Sequence, residues 1–383
     1  AATACLSAGV ADSEALRPFS LEEYQAFLDS LPITRADFSL QNENWVGSPR
    51  ALAKPAFLAR FDWLLDHTDW AHKWTEMYIK ARSVPAYVTM TPDHQRYGDP
   101  RTVFSSSFAL GRLLRSGAKL FDRSHNNRVV VFAGSDHNLS NAFGRTMTER
   151  KQVVAALRSF FRGIFFEAKD IELEGVGTMP IGLSEHYLRQ PLLAESAAAA
   201  IRATTGPGAA AAKSLGVLLA AGGFSDYREL APEDAYDSRP LAFKNRREAQ
   251  EWASTAAAAG AGVEVRRIER GAWWAELSKY RFLIAPWGDG IQTPKTIEAL
   301  LVQTVPIVQR GPFPVFDDLV RLGFPLAVVD AWPQITAARL EAWWQELAPQ
   351  LWSFKRDCLN TTGYWRLVTG ATPCCGGHCP QDC

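Results

Sequence analysis

The chain has 383 residues, more than one compact domain usually holds, so its length predicts two domains. Its 41 basic and 41 acidic residues cancel, which argues against a nucleic-acid partner. No stretch of about 18 uncharged apolar residues occurs, so the sequence predicts no membrane span. Because the chain begins with Ala1, an N-terminal membrane anchor removed upstream remains an alternative.

The cysteines bear on the cellular compartment. Six are present, and five of them fall in the last 26 residues, which predicts a disulfide-rich C-terminal tail. A zinc site is the alternative, because His378 lies among the last three cysteines. Two glycosylation sequons, at Asn138 and Asn360, agree with an oxidising compartment. The sequence therefore predicts the lumen of the secretory pathway, with the Golgi as first choice, or secretion.

The first 80 residues have helical patterns. Ser20 is a suitable N-cap, acidic Glu22 and Glu23 follow it, and residues 55–81 carry a further apolar stripe. Strand and helix patterns then alternate, with strands at 84–90, 128–133 and 164–166 and helices at 104–114 and 148–161. This alternation indicates βαβ units around a parallel sheet.

A break follows at 196–213, where an alanine-rich stretch runs into Gly206-Pro207-Gly208 and predicts a linker or loop. A second alternating set then has strands at 215–220, 263–268, 280–285, 305–308 and 326–329 and helices at 246–259, 272–278, 293–302, 314–322 and 336–357. The second domain is therefore predicted to be doubly wound.

The predicted organisation is an α/β chain with an acceptor-side domain at 1–195, the linker at 196–213, a donor-binding domain at 214–335, and a closing helix with the cysteine-rich tail at 336–383. Two Rossmann-like doubly wound domains that face a cleft resemble the GT-B architecture of glycosyltransferases. A fold alone does not establish a function, so the function has to come from a site.

A transition from loop to helix in the second domain carries the chemical signal. After the strand at 280–285, Gly288 and Gly290 let the backbone approach a ligand closely. Thr293 and Pro294 suit the N-cap and first helical positions. Ligands of parallel sheets bind at the carboxyl ends of strands, and a helix N-terminus there favours phosphate. The pattern predicts a diphosphate site.

The first turn of that helix extends the predicted site. Lys295 adds a positive charge, Thr296 follows it, and Glu298 lies one turn into the helix, where its carboxylate can accept hydrogen bonds from ribose hydroxyls. Structural interpretations remain open for each residue. The two glycines can serve only a turn, Lys295 can be solvated, and Glu298 can pair with Lys295 for roughly 0.2–0.5 kcal/mol.

This segment resembles the donor-site motif of exostosin-like glycosyltransferases. That motif is an apolar strand ending in Pro-x-Gly, then a Ser/Thr-Pro/His-Arg-x-x-Glu-Ala helix start, then a Val/Ile-Pro-Val/Ile strand. Glu298 matches the family's ribose-facing Glu, and Lys295 replaces its usual Arg, which keeps the charge but loses the bidentate fork. The matching stretches are Tyr280–Pro286, Gly288-x-Gly290, Thr293–Leu300, Val305–Val308 and Val328-Val329-Asp330-x-Trp332.

The resemblance implies an inverting transfer of a sugar from a nucleotide sugar to a hydroxyl of a glycan or glycoprotein. The expected donor is a UDP-sugar, such as UDP-xylose, UDP-galactose or UDP-arabinose, and no other cofactor is expected. The leaving diphosphate needs charge stabilisation. Besides Lys295, the candidate cations are Arg310, Arg228, Arg246 and Arg247.

The acceptor hydroxyl needs a general base, which is expected from the first domain. Asp136 and His137 follow the strand at 128–133 and are the predicted catalytic residues. The acid–histidine pairs at 93–94 and 185–186 are alternatives, and a post-strand Asp can instead cap a helix. No Asp-x-Asp motif occurs, so we expect no metal, with cations and a helix dipole in its place.

Other function classes stay open. A non-catalytic carbohydrate-binding protein on the same fold would lose affinity for the donor. A dehydrogenase would need G-x-G-x-x-G after a strand, and a serine hydrolase would need G-x-S-x-G; the sequence contains neither motif.

Overall fold

A computed structural model describes residues 18–30, 77–80, 87–90, 99–133, 137–183, 190–220, 238–360, 363–364 and 366–367. Along the described residues, the chain divides into two compact units between Met179 and Pro180. The junction was predicted further along, at 196–213. Residues up to Ala203 there belong to a helix of the second unit instead, and its buried face includes Ala197, Ala198 and Ile201.

The first unit contains a six-stranded sheet of order β2-β1-β3-β4-β5-β6. Every neighbouring pair is parallel except β1 and β2, which are antiparallel. The strands are β1 (Met77–Lys80), β2 (Tyr87–Met90), β3 (Thr102–Ser105), β4 (Arg128–Phe132), β5 (Phe161–Phe166) and β6 (Gly177–Thr178). The described helices are α1 (Leu21–Ser30), α2 (Leu110–Leu120), α3 (Leu139–Ala142) and α4 (Met147–Arg158).

Helix α1 begins where its capping residues predict. The Glu23 backbone N–H donates to Ser20 Oγ at 3.2 Å, and the Ser20 N–H donates to Glu23 Oε2 at 2.8 Å, which completes a capping box. Tyr24 then packs edge-on against Phe160, with ring centroids 5.1 Å apart, and donates its hydroxyl to the Leu114 carbonyl. The helix is thereby attached to the core of the first unit.

Two segments of the first unit differ from their predicted helices. Met77–Lys80 forms β1, and Phe104 lies in β3, so the helix of this region starts only at Leu110, after a 3₁₀ turn at Ser107–Ala109. The reason is that β3 lies inside the sheet, between β1 and β4, and Val103 and Phe104 are both buried. A short apolar run that is buried on both faces has no alternation to distinguish it from a helix.

The second unit contains a five-stranded, all-parallel sheet of order β11-β10-β9-β7-β8. Its strands are β7 (Leu215–Ala220), β8 (Val263–Arg266), β9 (Tyr280–Ile284), β10 (Val305–Gln309) and β11 (Ala327–Val329). The helices are α5 (Pro191–Ala203), α6 (Arg239–Ala253), α7 (Ala256–Gly260), α8 (Trp273–Leu277), α9 (Pro294–Leu301), α10 (Val315–Arg321) and α11 (Ala337–Cys358). These elements confirm the predicted second alternating set. The described residues as a whole form an α/β structure with two largely parallel sheets.

Two buried lysines hold helix ends in the second unit. Lys355 Nζ donates to the carbonyls of Ile201 at 2.7 Å and Thr204 at 3.0 Å, at the end of α5. Lys213 Nζ donates at 2.6 Å to the carbonyl of Ser278, just after α8. Both cations therefore lie at the negative ends of helix dipoles. Burial lowers the pKa of each lysine to about 7, and the charge of Lys355 adds to the effect on Lys213.

Only a few of the residues that bear on the predicted cellular compartment are described by the structure. Cys358 is buried and disulfide-bonded, whereas the other five cysteines lie outside the described residues. Asn138 is only 5% exposed, so its sequon offers no surface amide for a glycan in the folded chain. Asn360 is half-buried and its side-chain N–H donates to the Arg356 carbonyl. Within the described ranges, every helix is too short or too polar to cross a bilayer.

Candidate functional site

The loop after β9 lies at the switch point of the second sheet. From β7 the chain passes outward to β8 and then crosses to β9 on the other side of β7. Doubly wound sheets of this order bind ligands at that point, beyond the carboxyl ends of the strands. Loop residues 285–293 and the N-terminus of α9 follow β9 there. The segment that the sequence predicts to bind a diphosphate therefore lies at the edge of the sheet where ligands of such folds bind.

Gly288 is required by the loop itself. The N–H and carbonyl groups of Gly288 and Ile291 exchange two 3.0 Å hydrogen bonds, which close a tight turn. A Cβ on Gly288 would lie 2.1 Å from the Gln292 carbonyl oxygen. The close approach that Gly288 permits is thus to its own backbone, and Gly290 lies inside the same turn, its carbonyl accepting from the Gln292 N–H at 2.9 Å.

Helix α6 and the last residue of β10 brace this turn. Asn245 Oδ1 accepts from the Trp287 backbone N–H at 3.0 Å, and its amide nitrogen donates to Gln309 Oε1 at 2.5 Å. Arg246 donates to the Trp287 carbonyl at 2.8 Å and pairs with Asp289 at 3.0 Å. Arg246, predicted as a cation for the diphosphate, therefore fixes the loop beside the site.

The end of β10 and the loop after it also hold the side chain of Trp287 in place. The indole N–H of Trp287 donates to the Gln309 carbonyl at 2.6 Å. Gly311 has a φ of 62°, and a Cβ there would lie 2.1 Å from the Trp287 ring. Only glycine combines this left-handed conformation with the space that the ring needs. Trp287 is 6% exposed, so the ring is part of the loop's core.

Helix α9 begins as its sequence predicts, with Thr293 at the N-cap and Pro294 in the first turn, although the Thr293 side chain makes no capping hydrogen bond. Thr296 is 3% exposed, and its Oγ1 has no hydrogen-bond partner among the described residues. Lys295 is half-buried, and burial lowers its pKa, with the charge of Arg246 acting in the same direction and that of Glu298 opposing it. The helix start thus holds a desolvated cation beside an unsatisfied hydroxyl.

Glu298 is the buried carboxylate of the site. It is 2% exposed, and Oε2 accepts a 2.7 Å hydrogen bond from Trp273 Nε1. Burial raises the pKa of Glu298 to about 7, while the indole N–H and the charge of Lys295 act in the opposite direction. Lys295 Nζ lies 5.8 Å from the centroid of the same Trp273 ring. The indole of Trp273 therefore contacts both Lys295 and Glu298, the two charged residues that the sequence predicts for this site.

Two further cations predicted for the donor site are already paired. Arg310 Nε donates to Asp317 at 3.0 Å, and its NH1 pairs with Asp330. Arg247 is exposed and pairs with Glu251 on its own helix at 3.9 Å. Arg228 lies outside the described residues.

In the first unit, His137 lies between β4 and α3, beyond the carboxyl end of β4. The predicted base Asp136 and the alternative pairs at 93–94 and 185–186 lie outside the described residues.

Sequence reasoning missed Trp273 and Asn245. Trp273 is followed by Trp274, and both are buried at the start of α8. The sequence therefore does not show which of the two tryptophans contacts Glu298. Asn245 precedes Arg246 in the middle of α6, where an amide is ordinarily solvated. The burial of Asn245 and its hydrogen bonds to Trp287 and Gln309 are known only from the structure, so the sequence held no signal for this residue.

Compared with known proteins, the chain matches no protein-family model and no curated protein. In the part of the chain that the structure describes, no three or more His, Cys, Asp or Glu side chains are grouped so as to hold a metal ion.

Proposed function

We propose that the second unit binds a nucleotide sugar and that the chain is an inverting glycosyltransferase, the activity that the exostosin-like resemblance implies. The donor would be a UDP-sugar and the acceptor a hydroxyl of a glycan or glycoprotein. The observation that carries the proposal is the pairing of a half-buried lysine and a buried carboxylate, Lys295 and Glu298, on the first turns of a helix at the switch point of a parallel sheet.

Each group would have a separate task in donor binding. The Lys295 ammonium and the Thr296 hydroxyl, at the positive end of the α9 dipole, would receive the diphosphate. Backbone amides would contribute little, because Pro294 has no N–H and the Thr296 N–H already donates to the Thr293 carbonyl at 3.0 Å. These donors stabilise the negative charge that grows on the diphosphate as the bond to the sugar breaks. The Glu298 carboxylate would accept hydrogen bonds from the ribose hydroxyls. Arg310 is left out of this site, because two aspartates already neutralise it.

The first unit would supply the base, in the GT-B arrangement. His137 lies beyond the carboxyl end of β4 in a parallel sheet, which is the edge where ligands of such sheets bind. The base would remove the proton of the acceptor hydroxyl as its oxygen attacks the anomeric carbon from the face opposite the diphosphate. That geometry inverts the configuration at this carbon.

Isothermal titration with UDP and a panel of UDP-sugars tests donor binding. We expect heat with at least one UDP-sugar, and a loss of roughly 10- to 100-fold in affinity in Lys295→Met, because a charge-assisted contact to phosphate is removed. Lys279→Met is the matched control, since Lys279 is an exposed lysine that precedes β9 at the opposite sheet edge and pairs with Glu276. Folded protein that gives no heat with any UDP-sugar would refute the proposal.

Transfer is tested separately, by following UDP release with a glycan array as acceptor. Release that depends on an acceptor supports the transferase. Binding of glycans without any donor affinity would instead favour the non-catalytic carbohydrate-binding protein.

A further inference from the structure

Trp273 joins the two charged residues of the candidate site from a different part of the chain. It begins α8, after β8, whereas Lys295 and Glu298 belong to α9, after β9. Its indole N–H lies 2.7 Å from Glu298 Oε2, and its ring centroid lies 5.8 Å from Lys295 Nζ. Trp273 is 5% exposed and Glu298 is 2% exposed, so solvent does not mediate this contact.

The pairing is unusual for a tryptophan that serves only the core. A buried indole N–H needs one acceptor, and a backbone carbonyl is sufficient, as Trp332 shows by donating to the Asn245 carbonyl at 3.3 Å. A buried carboxylate, by contrast, is costly to keep in a fold. Because Trp273 takes a carboxylate as its acceptor, the orientation of Glu298 is fixed by α8 before any ligand arrives.

The charged groups that act on this carboxylate and its neighbour come from two helices. Lys295, on the same helix, is the cation that acts on Glu298, and Arg246 of α6 acts in turn on Lys295. Strand β10 and helix α11 also pack against α9, and β10 carries no ionisable side chain. The Trp273 N–H is therefore the main contact that opposes burial and favours the ionised form of Glu298.

We propose that Trp273 is a positioning residue of the nucleotide-sugar site: its N–H fixes the Glu298 carboxylate and its ring seats the Lys295 ammonium, so that both meet the donor in one preset geometry. The inference rests on the proposed function for the identity of the ligand. The Trp273–Glu298 coupling itself can be measured without any ligand.

The first experiment follows indole N–H signals by ¹H–¹⁵N NMR from pH 5 to 9 in the ligand-free protein, with the Trp273 signal assigned by its loss in Trp273→Phe. We expect this signal to titrate with a midpoint near 7, where burial places the pKa of Glu298. The titration should vanish in Glu298→Gln, while the Trp332 signal should not follow it. A Trp273 signal that does not titrate, or that titrates unchanged in Glu298→Gln, would overturn the proposal.

The second experiment measures UDP affinity from pH 5 to 9 by calorimetry. Affinity should rise with the ionisation of Glu298, and in Trp273→Phe this rise should move to higher pH by about one pH unit, because the hydrogen bond that favours the carboxylate is lost. Trp332→Phe, which loses an N–H bound to a backbone carbonyl, should keep the original profile. UDP binding with an unchanged profile in Trp273→Phe refutes the positioning role. An absence of UDP binding alongside an intact NMR titration refutes the proposed function and leaves the Trp273–Glu298 coupling standing.

Discussion

Replacing Gly311 by alanine tests how the candidate site is held. Gly311 has a φ of 62°, and an alanine in this left-handed conformation costs about 1–2 kcal/mol. Its Cβ would also lie 2.1 Å from the ring of Trp287, which is buried, and such overpacking adds about 1–3 kcal/mol. The expected loss in the free energy of unfolding is therefore about 2–5 kcal/mol.

Gly262→Ala is the matched control, because Gly262 has a φ of 78° and a Cβ there meets no atom within 4 Å. It should lose only the backbone cost of about 1–2 kcal/mol. Urea unfolding followed by tryptophan fluorescence measures both variants, because Trp287 and seven other described tryptophans lie in the second unit. The tryptophans outside the described residues are common to both variants and contribute the same background. Equal losses in the two variants would refute the role assigned to the contact between Gly311 and Trp287.

Three further predictions concern charge and oxidation. The second unit should gain stability as pH rises from about 7 to 10, because folded Lys213 and Lys355 release protons that the unfolded chain still holds. In Lys213→Met, the midpoint of urea unfolding should therefore increase less steeply with pH, and an equally steep increase contradicts this account. Arg310→Gln should change the affinity for UDP by no more than about twofold, since the charge of Arg310 is already paired. A tenfold loss of affinity measured by calorimetry would show that Arg310 does contact the donor. Peptide mapping without reductant should recover Cys358 only in a disulfide, whereas a free Cys358 thiol would contradict the structure.

Much of the second unit could be predicted because four of its five strands, all except β8, carry buried apolar residues. Leu215–Ala220 is a continuous apolar run between turn residues and forms β7 with the predicted bounds. The same reasoning failed at Phe104, because a buried run beside a helix start fits either period. The sequence also predicted correctly that Pro294 lies in the first turn of α9, because its missing N–H and fixed φ favour that position whatever packs around it.

The composition of the candidate site was less predictable, because its contacts join distant parts of the chain. Lys295 and Glu298 lie on one helix, so their spacing could be read directly from the sequence. The partner of Glu298 is Trp273, which comes from the preceding strand–helix unit, and sequence spacing does not give the packing between units. The neutralisation of Arg310 depends likewise on helix α10 and on the loop after β11, which supply Asp317 and Asp330.

The ammonium of Lys355, held by carbonyls at the end of α5, has a consequence for dissecting the chain. A fragment that begins at Ser214 would contain every strand of the second sheet but would lack α5, and Lys355 would lose the Ile201 and Thr204 carbonyls that now surround its charge. A buried cation deprived of its acceptors opposes folding. An autonomous piece of the second unit must therefore start ahead of Pro191 and extend past Lys355.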